Sequence, residues 1–351
     1  MRALHITGNG PADEVLEVVD TERPDPGPDE VRLEVRAAAL NHKDVFARIG
    51  HPYDEEGFPK QTGTDVAGIV DAVGEAVTDV SVGDRVNVFP RIFCGECEFC
   101  LNGEQTMCTD DVAIGQAGSN AQSTIPGGFA EYVVLPARVM EPIPADQDFV
   151  TAAAWPVTFT TAWRMIVTGG ELEPAETALV LGASGGVGNA ALQIADSVNA
   201  ETIATTSTRE KARRIEQWAD TVIDYTEVDL VDRIDEVTDG RGVDLVADHV
   251  GAGTWQDSIN CLTRGGRMVI CGATSGPYPD VDIRSIYRRH RRIIGAPLGN
   301  VSDFRAAGRL IADGTLEPVI DRVLPLDRAV EGHRALEERD VTGKIVIEPH
   351  A

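Results

Sequence analysis

Residues 178–188 read ALVLGASGGVG. The apolar run 178–181 has the character of a buried parallel strand. Gly182, Gly185, Gly186 and Gly188 follow at once, and NAALQIADSVNA (189–200) has helical periodicity. Strand, glycine turn and helix in that order give a G-x-x-G-x-x-G spacing its meaning. The glycines let the backbone approach a pyrophosphate, and the helix N-terminus aims N–H groups at it. A tight strand-to-helix turn with no ligand is the competing reading.

Working outward, ETIATTS (201–207), TVIDY (221–225), GVDLVADHVG (242–251) and GGRMVICGA (265–273) are further β-rich runs. Helical segments such as TREKARRIEQWA lie between them. This alternation predicts an α/β fold with a doubly wound parallel sheet and a ligand beyond the strand C-termini. HVG (249–251) and CGA (271–273) bring glycine to two strand ends. The candidate cofactor set in this region is therefore Gly182, Ser184, Gly185, Gly186, Val187, Gly188, Val250 and Gly272.

The second strand bears on the choice of cofactor. NAD sites carry an acid there for the ribose 2′-hydroxyl. Here the strand ends in Thr205, Thr206 and Ser207, and Thr208, Arg209, Glu210 and Lys211 follow. Hydroxyls and cations suit a 2′-phosphate, so the reading favours NADP(H). A solvated first turn of a helix is the alternative.

Residues 94–108 read CGECEFCLNGEQTMC, placing Cys94, Cys97, Cys100 and Cys108 at C-x2-C-x2-C-x7-C spacing. Such spacing gathers four thiolates around one tetrahedral zinc, and Gly95 and Gly103 supply the turns. Four thiolates leave no open position, so the zinc is expected to be structural. A disulfide pair, a redox C-x-x-C and an iron–sulfur cluster compete with it. Cys271, in the apolar run MVICGA, is expected to be a buried core thiol.

The chain has 351 residues, of which 42% are hydrophobic and 25% charged, as in soluble two-domain proteins. There are 57 acidic residues against 31 basic ones, a net charge of −26. So negative a field repels nucleic acid and anionic membranes, and neither is expected as a partner. Only four cations are lysines: Lys43, Lys60, Lys211 and Lys344. An acidic, lysine-poor surface suits high salt, and a halophilic source is expected. No apolar run reaches membrane-spanning length, and MRALHITGNGPADEV lacks the apolar core of a signal peptide, so the expected location is cytoplasmic.

Residues 1–150 consist of short β-rich pieces between glycine, proline and acidic turns: EVRLEVRAAAL, DVAGIVDAVGEAV, SVGDRVNVF and GGFAEYVVLP. They predict an irregular antiparallel barrel. TAAAWPVTFTTAWRMIV (151–167) is helical and leads into the glycine-loop domain, assigned to 151–292. FRAAGRLIADG predicts a helix, and VIDRVLPL and GKIVIEP predict strands returning to the first domain, with the return assigned to 293–351.

With these pieces in order, the chain resembles the medium-chain dehydrogenase/reductase superfamily along nearly its whole length. The motifs that carry the resemblance are GTDVAGIV, VGDRV, CGECEFCLNGEQTMC, GGFAEYVVLP, GASGGVG, DHVG and ERDVTGKIVI. It implies a GroES-like catalytic domain and a Rossmann domain, an active site in the cleft between them, and a homodimer or homotetramer. The cysteine lobe is similar to the structural-zinc loop of zinc alcohol dehydrogenases. Their catalytic-zinc ligands, however, fall on Asn41, Thr64 and the region of Val157, none of which offers the usual donor. NHKD, TGTDVAG and PVTFTTAW instead resemble the quinone oxidoreductase branch, which transfers hydride from NADPH without a metal.

That resemblance implies a small-molecule substrate, a quinone or an α,β-unsaturated carbonyl. It places 2′-phosphate contacts on Lys211 and Tyr225, with Ser207 beside them. Asn41 is the candidate donor to the substrate oxygen, where negative charge develops, and Asp44 the candidate group that orients its loop. Capping a turn or a helix is the structural alternative for both. Tyr53 and His42 are the candidate proton donors. Competing functions are an alcohol dehydrogenase with zinc on His42, Asp44 and Asp65, a non-catalytic NADPH-binding redox sensor, and a thiol switch.

Overall fold

The computed structural model describes residues 1–50, 57–116 and 125–351. It divides into two compact units, residues 1–157 with 318–351, and residues 158–317.

The first unit opens on a hairpin, β1 (Arg2–Ile6) against β2 (Leu16–Asp20), with α1 (Ala12–Val15) between them. In β3 (Glu30–Ala39), Val31, Leu33 and Val35 are buried while Arg32, Glu34 and Arg36 are partly exposed, the period-two pattern of a half-buried strand. After it come α2 (His42–Ile49), β4 (Asp65–Val73) and β5 (Arg85–Val88). The cysteine lobe is closed by β6 (Arg91–Ile92) pairing with β7 (Val112–Ala113), and it holds α3 (Glu98–Leu101). Then follow β8 (Tyr132–Pro136), β9 (Met140–Pro142) and α4 (Phe149–Ala154).

In the second unit, α5 (Pro156–Trp163) leads to β10 (Thr177–Val180), α6 (Gly186–Ser197), β11 (Glu201–Thr206), α7 (Arg209–Ile215) and β12 (Thr221–Asp224). The chain continues through α8 (Leu230–Val237), β13 (Val243–Asp248), α9 (Trp255–Cys261), β14 (Leu262–Ile270), α10 (Arg284–Tyr287), β15 (Arg292–Gly295) and α11 (Val301–Ala312). The strands form one parallel sheet in the order β12-β11-β10-β13-β14-β15. The direction of winding reverses between β10 and β13, the switch point at which such sheets bind ligands. Leu179, Ile203, Val246 and Met268 from the strands pack with Ile234 of α8 and Ile259 of α9. Cys261 is fully buried, whereas Cys271, expected in the core, lies just past the end of β14 and is half-buried.

The chain returns to the first unit at Pro318, later than the boundary at 293 read from the sequence. RIIG (292–295) pairs with β14 as a sixth strand of the parallel sheet, and α11 belongs to the same unit. The strand is only four residues long and follows a run of cations, so no apolar periodicity announced it. The return brings β16 (Ile320–Pro325), α12 (Ala329–Glu337) and β17 (Lys344–Glu348). The resulting sheet runs β16-β17-β3-β4-β5-β9, with β8 also paired to β3. Ala37, Ala39, Ala67 and Val346 pack against Ala152, Ala153 and Ala154 of α4, whose small side chains admit close approach to the sheet. Among the described residues, no helix is long and apolar enough to cross a membrane.

Candidate functional site

The glycine turn is built on β10. Gly182 adopts φ +53°, the left-handed region, and its N–H donates to Thr205 Oγ1 at 3.0 Å. A Cβ at Gly188 would stand 2.4 Å from the Gly182 carbonyl oxygen, so only glycine lets α6 start this close to the strand. Gly185 is the N-cap of α6 and has no side chain to bond the first N–H groups of the helix. These are the donors an anion meets at a helix N-terminus. Ser184 is buried in the turn, and Val187 is half-buried in the first turn of the helix.

Across the switch point, the turn after β13 is organised by Asp248, which is 1% exposed. Its Oδ1 accepts from the N–H groups of Val250 (2.8 Å) and Gly251 (3.1 Å). Its Oδ2 accepts from Thr254 Oγ1 (2.9 Å) and Ser258 Oγ (2.8 Å). This turn presents His249 to the glycine loop: a Cβ at Gly182 would lie 3.2 Å from His249 Nε2. His249 Nδ1 is buried without a partner, and burial holds the imidazole below its usual pKa. Gly272 follows β14 closely enough that a Cβ there would stand 2.8 Å from the His249 carbonyl oxygen. Asp248 and His249 were not singled out from the sequence, although DHVG at a strand end was the signal available.

The ends of β11 and β12 meet beside this crevice. Thr206 is opposite Asp224, and the Tyr225 N–H donates to the Thr206 carbonyl at 3.2 Å. The structure therefore brings Thr206, Ser207 and Tyr225 together, with Thr206 Oγ1 buried and unpartnered and Tyr225 exposed. Lys211 stands in the first turn of α7, where its N–H donates to the N-cap Thr208 Oγ1 at 3.2 Å.

In the first unit, Asn41 is the N-cap of α2. Its backbone N–H donates to Asp44 Oδ2 at 2.8 Å, and Gly63 N–H donates to Asp44 Oδ1 at 3.2 Å. Asp44 is fully buried, and burial raises its pKa. It ties the start of α2 to the 63–65 loop. The Asn41 side chain turns elsewhere. Its Nδ2 donates to Asp65 Oδ2 at 2.9 Å, and its Oδ1 accepts from Lys344 Nζ at 2.7 Å. Lys344 Nζ also donates to Asp65 Oδ2 at 2.9 Å, while Asp65 Oδ1 accepts the Val157 N–H at 2.7 Å. All four carboxylate oxygens of Asp44 and Asp65 therefore have protein donors. His42 is exposed on α2, and Tyr53 lies outside the described residues.

The four cysteines of the lobe come together as their spacing predicts, with all sulfurs within 4.8 Å of one another. Cys94 Sγ lies 3.8 Å from Cys100 Sγ and 3.5 Å from Cys108 Sγ. No disulfide joins them, since a bonded pair would be about 2.05 Å apart. A tetrahedron with Zn–S near 2.3 Å has edges of about 3.8 Å, so these residues fit a zinc held by four thiolates. Backbone N–H groups reach the sulfurs, among them Cys97 N to Cys94 at 3.3 Å, Cys94 N to Cys108 at 3.4 Å and Cys100 N to Cys97 at 3.5 Å. Burial pushes the Cys100 thiol up to about 12, whereas backbone N–H groups bring the Cys94 thiol down to about 7. Gly95 (φ +85°) and Gly103 (φ +82°) make the turns of the lobe.

A GroES-like unit and a Rossmann sheet in one chain define the class. Residues 27–145 match the alcohol dehydrogenase GroES-like domain and residues 186–313 match the zinc-binding dehydrogenases. The acryloyl-coenzyme A reductase of Sulfurisphaera tokodaii is 30% identical, covering 99% of this chain and 100% of that one. A quinone oxidoreductase of Pseudomonas aeruginosa is 32% identical over 96% of each chain. A solved NAD-dependent alcohol dehydrogenase is 39% identical, covers 99% of both chains and superposes with a TM-score of 0.92. The chain belongs to the medium-chain dehydrogenase/reductase superfamily, and it is an NAD(P)H-dependent oxidoreductase of that superfamily.

Proposed function

We propose that this protein reduces the electron-poor double bond of a quinone or an α,β-unsaturated carbonyl with NADPH, without a catalytic metal. The observation that carries the reading is the occupancy of the Asn41 site. A lysine ammonium fills the space between Asn41 and Asp65, and Asp44 and Asp65 have no oxygen left without a donor. The relatives named for quinone and acryloyl-coenzyme A reduction agree with this reading.

NADPH, when bound, supplies the hydride. The N–H groups opening α6 receive its pyrophosphate, and Val250 and Gly272 line the crevice. Thr206, Ser207, Lys211 and Tyr225 receive the 2′-phosphate. Asn41 donates an N–H to the substrate oxygen as negative charge develops there. Zinc in the cysteine lobe is structural, because four thiolates complete its coordination.

NADPH oxidation measured against a quinone, an enal and an enoyl thioester tests the reading. Turnover with any of them supports it; binding of NADPH with no turnover supports the redox-sensor alternative. The 39% identity to a solved alcohol dehydrogenase favours a second reading, NAD-dependent alcohol oxidation. Two zinc ions per chain with alcohol turnover would establish that one instead.

A homodimer or homotetramer is part of the proposal. Among the described residues β15 leaves an unpaired sheet edge, and Ile293, Ile283 and Tyr287 are exposed nearby in the chain. Sedimentation checks it. The acidic, lysine-poor composition supports a halophilic setting, and unfolding across a salt series checks it, since full stability at low salt would contradict it.

A further inference from the structure

Lys344, the cation that fills the Asn41 site, is deeply buried in the first unit. The residue is 4% exposed and its partner Asp65 is 0% exposed. Burying an ammonium is costly unless acceptors meet it closely. Here two do, Asn41 Oδ1 at 2.7 Å and Asp65 Oδ2 at 2.9 Å. The pairing of the strands makes this meeting unavoidable. Ala39 is opposite Val346 in β17 and opposite Asp65 in β4. Two residues further along the antiparallel register, Asn41 comes to face Lys344. The residue type also fits. Arginine supplies nearly all the positive charge of this chain, but a planar guanidinium does not suit two convergent acceptors as a compact ammonium does.

The chemistry follows from the carboxamide. Its two ends are nearly equal in shape, so charge decides which end points where. Lys344 donates, and so takes the oxygen. The Nδ2 is then fixed, with one N–H on Asp65 and the other left near the Ala39 carbonyl at 3.5 Å, a weak contact. Asn41 is half-buried, and that second N–H has only this long contact to give up when a ligand oxygen competes for it. Donation from an ammonium to the amide oxygen also strengthens the amide N–H as a donor. If the carboxamide turned over, its oxygen would oppose the developing negative charge instead of stabilising it.

We infer that Lys344 is a positioning residue for the reduction, holding the Asn41 carboxamide with an N–H toward the substrate oxygen. The inference rests on the reading that Asn41 meets that oxygen.

The test is a double-mutant cycle in the full chain, with an enone or quinone found to turn over. Lys344→Met alone leaves Asp65 buried and unpaired and endangers the fold. Lys344→Met with Asp65→Asn removes both charges and keeps the shapes. Thermal unfolding and NADPH affinity, which belongs to the other unit, confirm a folded protein. The expected result is a fall in kcat of about tenfold to a hundredfold, less than loss of an oxyanion donor itself, with NADPH affinity unchanged. In an Asn41→Ala background the same pair of changes should cost nothing more. If the pair keeps the wild-type kcat, or lowers kcat by the same factor in both backgrounds, Lys344 is structural only and the inference fails. If Asn41→Ala itself turns over at the wild-type rate, the placement of Asn41 at the substrate fails, and the inference falls with it.

Discussion

The imidazole of His249 rests on the glycine turn at Gly182: a Cβ there would meet His249 Nε2 at 3.2 Å. The two residues come from neighbouring strands, β10 and β13, at the point where the sheet reverses its winding. A methyl group at 182 would face both this contact and a backbone at φ +53°. Gly182→Ala should cost about 1–2 kcal/mol of stability from the left-handed backbone, and should weaken NADPH binding at least tenfold. Adding His249→Ser should recover part of the binding loss and none of the backbone cost. Calorimetric titration and thermal unfolding separate the two.

Asp248 accepts four hydrogen bonds, two from backbone N–H groups and two from hydroxyls. Hydroxyls can reverse and accept, whereas backbone N–H groups cannot. Asp248→Asn should therefore cost only about 1 kcal/mol, with its oxygen on the backbone and its amide on the hydroxyls, while Asp248→Ala should cost about 3 kcal/mol. Denaturant unfolding of both variants checks the order, and equal losses would contradict it.

On the proposed reading, Lys211 in the first turn of α7 is the residue that separates the two nicotinamide cofactors. Lys211→Glu should weaken NADPH binding more than tenfold through lost and reversed charge, and leave NADH binding near its starting value. Dissociation constants for the two reduced cofactors decide it; a variant that keeps its preference for NADPH removes Lys211 from the 2′-phosphate site.

His333 in α12 is 0% exposed, and neither ring nitrogen has a partner. Burial, with the neighbouring Arg48 charge, pushes its pKa from 6.5 down to about 3. The folded state thus holds this ring neutral where the unfolded chain would protonate it. Its contribution to stability is complete above about 6.5 and is lost as pH falls toward 3, at about 1.4 kcal/mol per pH unit. His333→Leu should remove about 2 kcal/mol from the stability difference between pH 7 and pH 5. Denaturant melts at the two pH values supply the comparison.

Removal of zinc tests the division between lobe and chemistry. The purified protein should carry one zinc per chain, and Cys100→Ser should lower it toward zero with a large fall in thermal stability. NADPH affinity, which belongs to the other unit, should stay within about twofold. Loss of turnover in a chelated protein with intact fold would assign the lobe a part in the reaction.

The two sites differ in how much of each was legible in the sequence. The glycine turn and the cysteine lobe are local: four glycines within seven positions and four cysteines within fifteen create their geometry through neighbouring backbone. Asn41 was legible as a position, but not as a network. Its partner Lys344 is 303 positions away and Asp65 is 279 positions from that lysine, and only the pairing of β3 with β4 and β17 joins them. Asp44 illustrates the converse. Its spacing from Asn41 made the helix cap legible, whereas its contact with the Gly63 N–H, 19 positions away, was not. β15 was missed because an edge strand needs no continuous apolar run to pair.

The discontinuity of the first unit has a consequence for the growing chain. The second unit is one continuous stretch and can fold as soon as it leaves the ribosome, whereas Asn41 must wait for Lys344. Until those last strands are translated, β3 lacks β17 and Asp65 lacks its counter-charge. A nascent chain can therefore complete its parallel sheet before Asn41 meets Lys344, and on the proposed reading translation that stalls late would leave a product that binds cofactor but cannot use it.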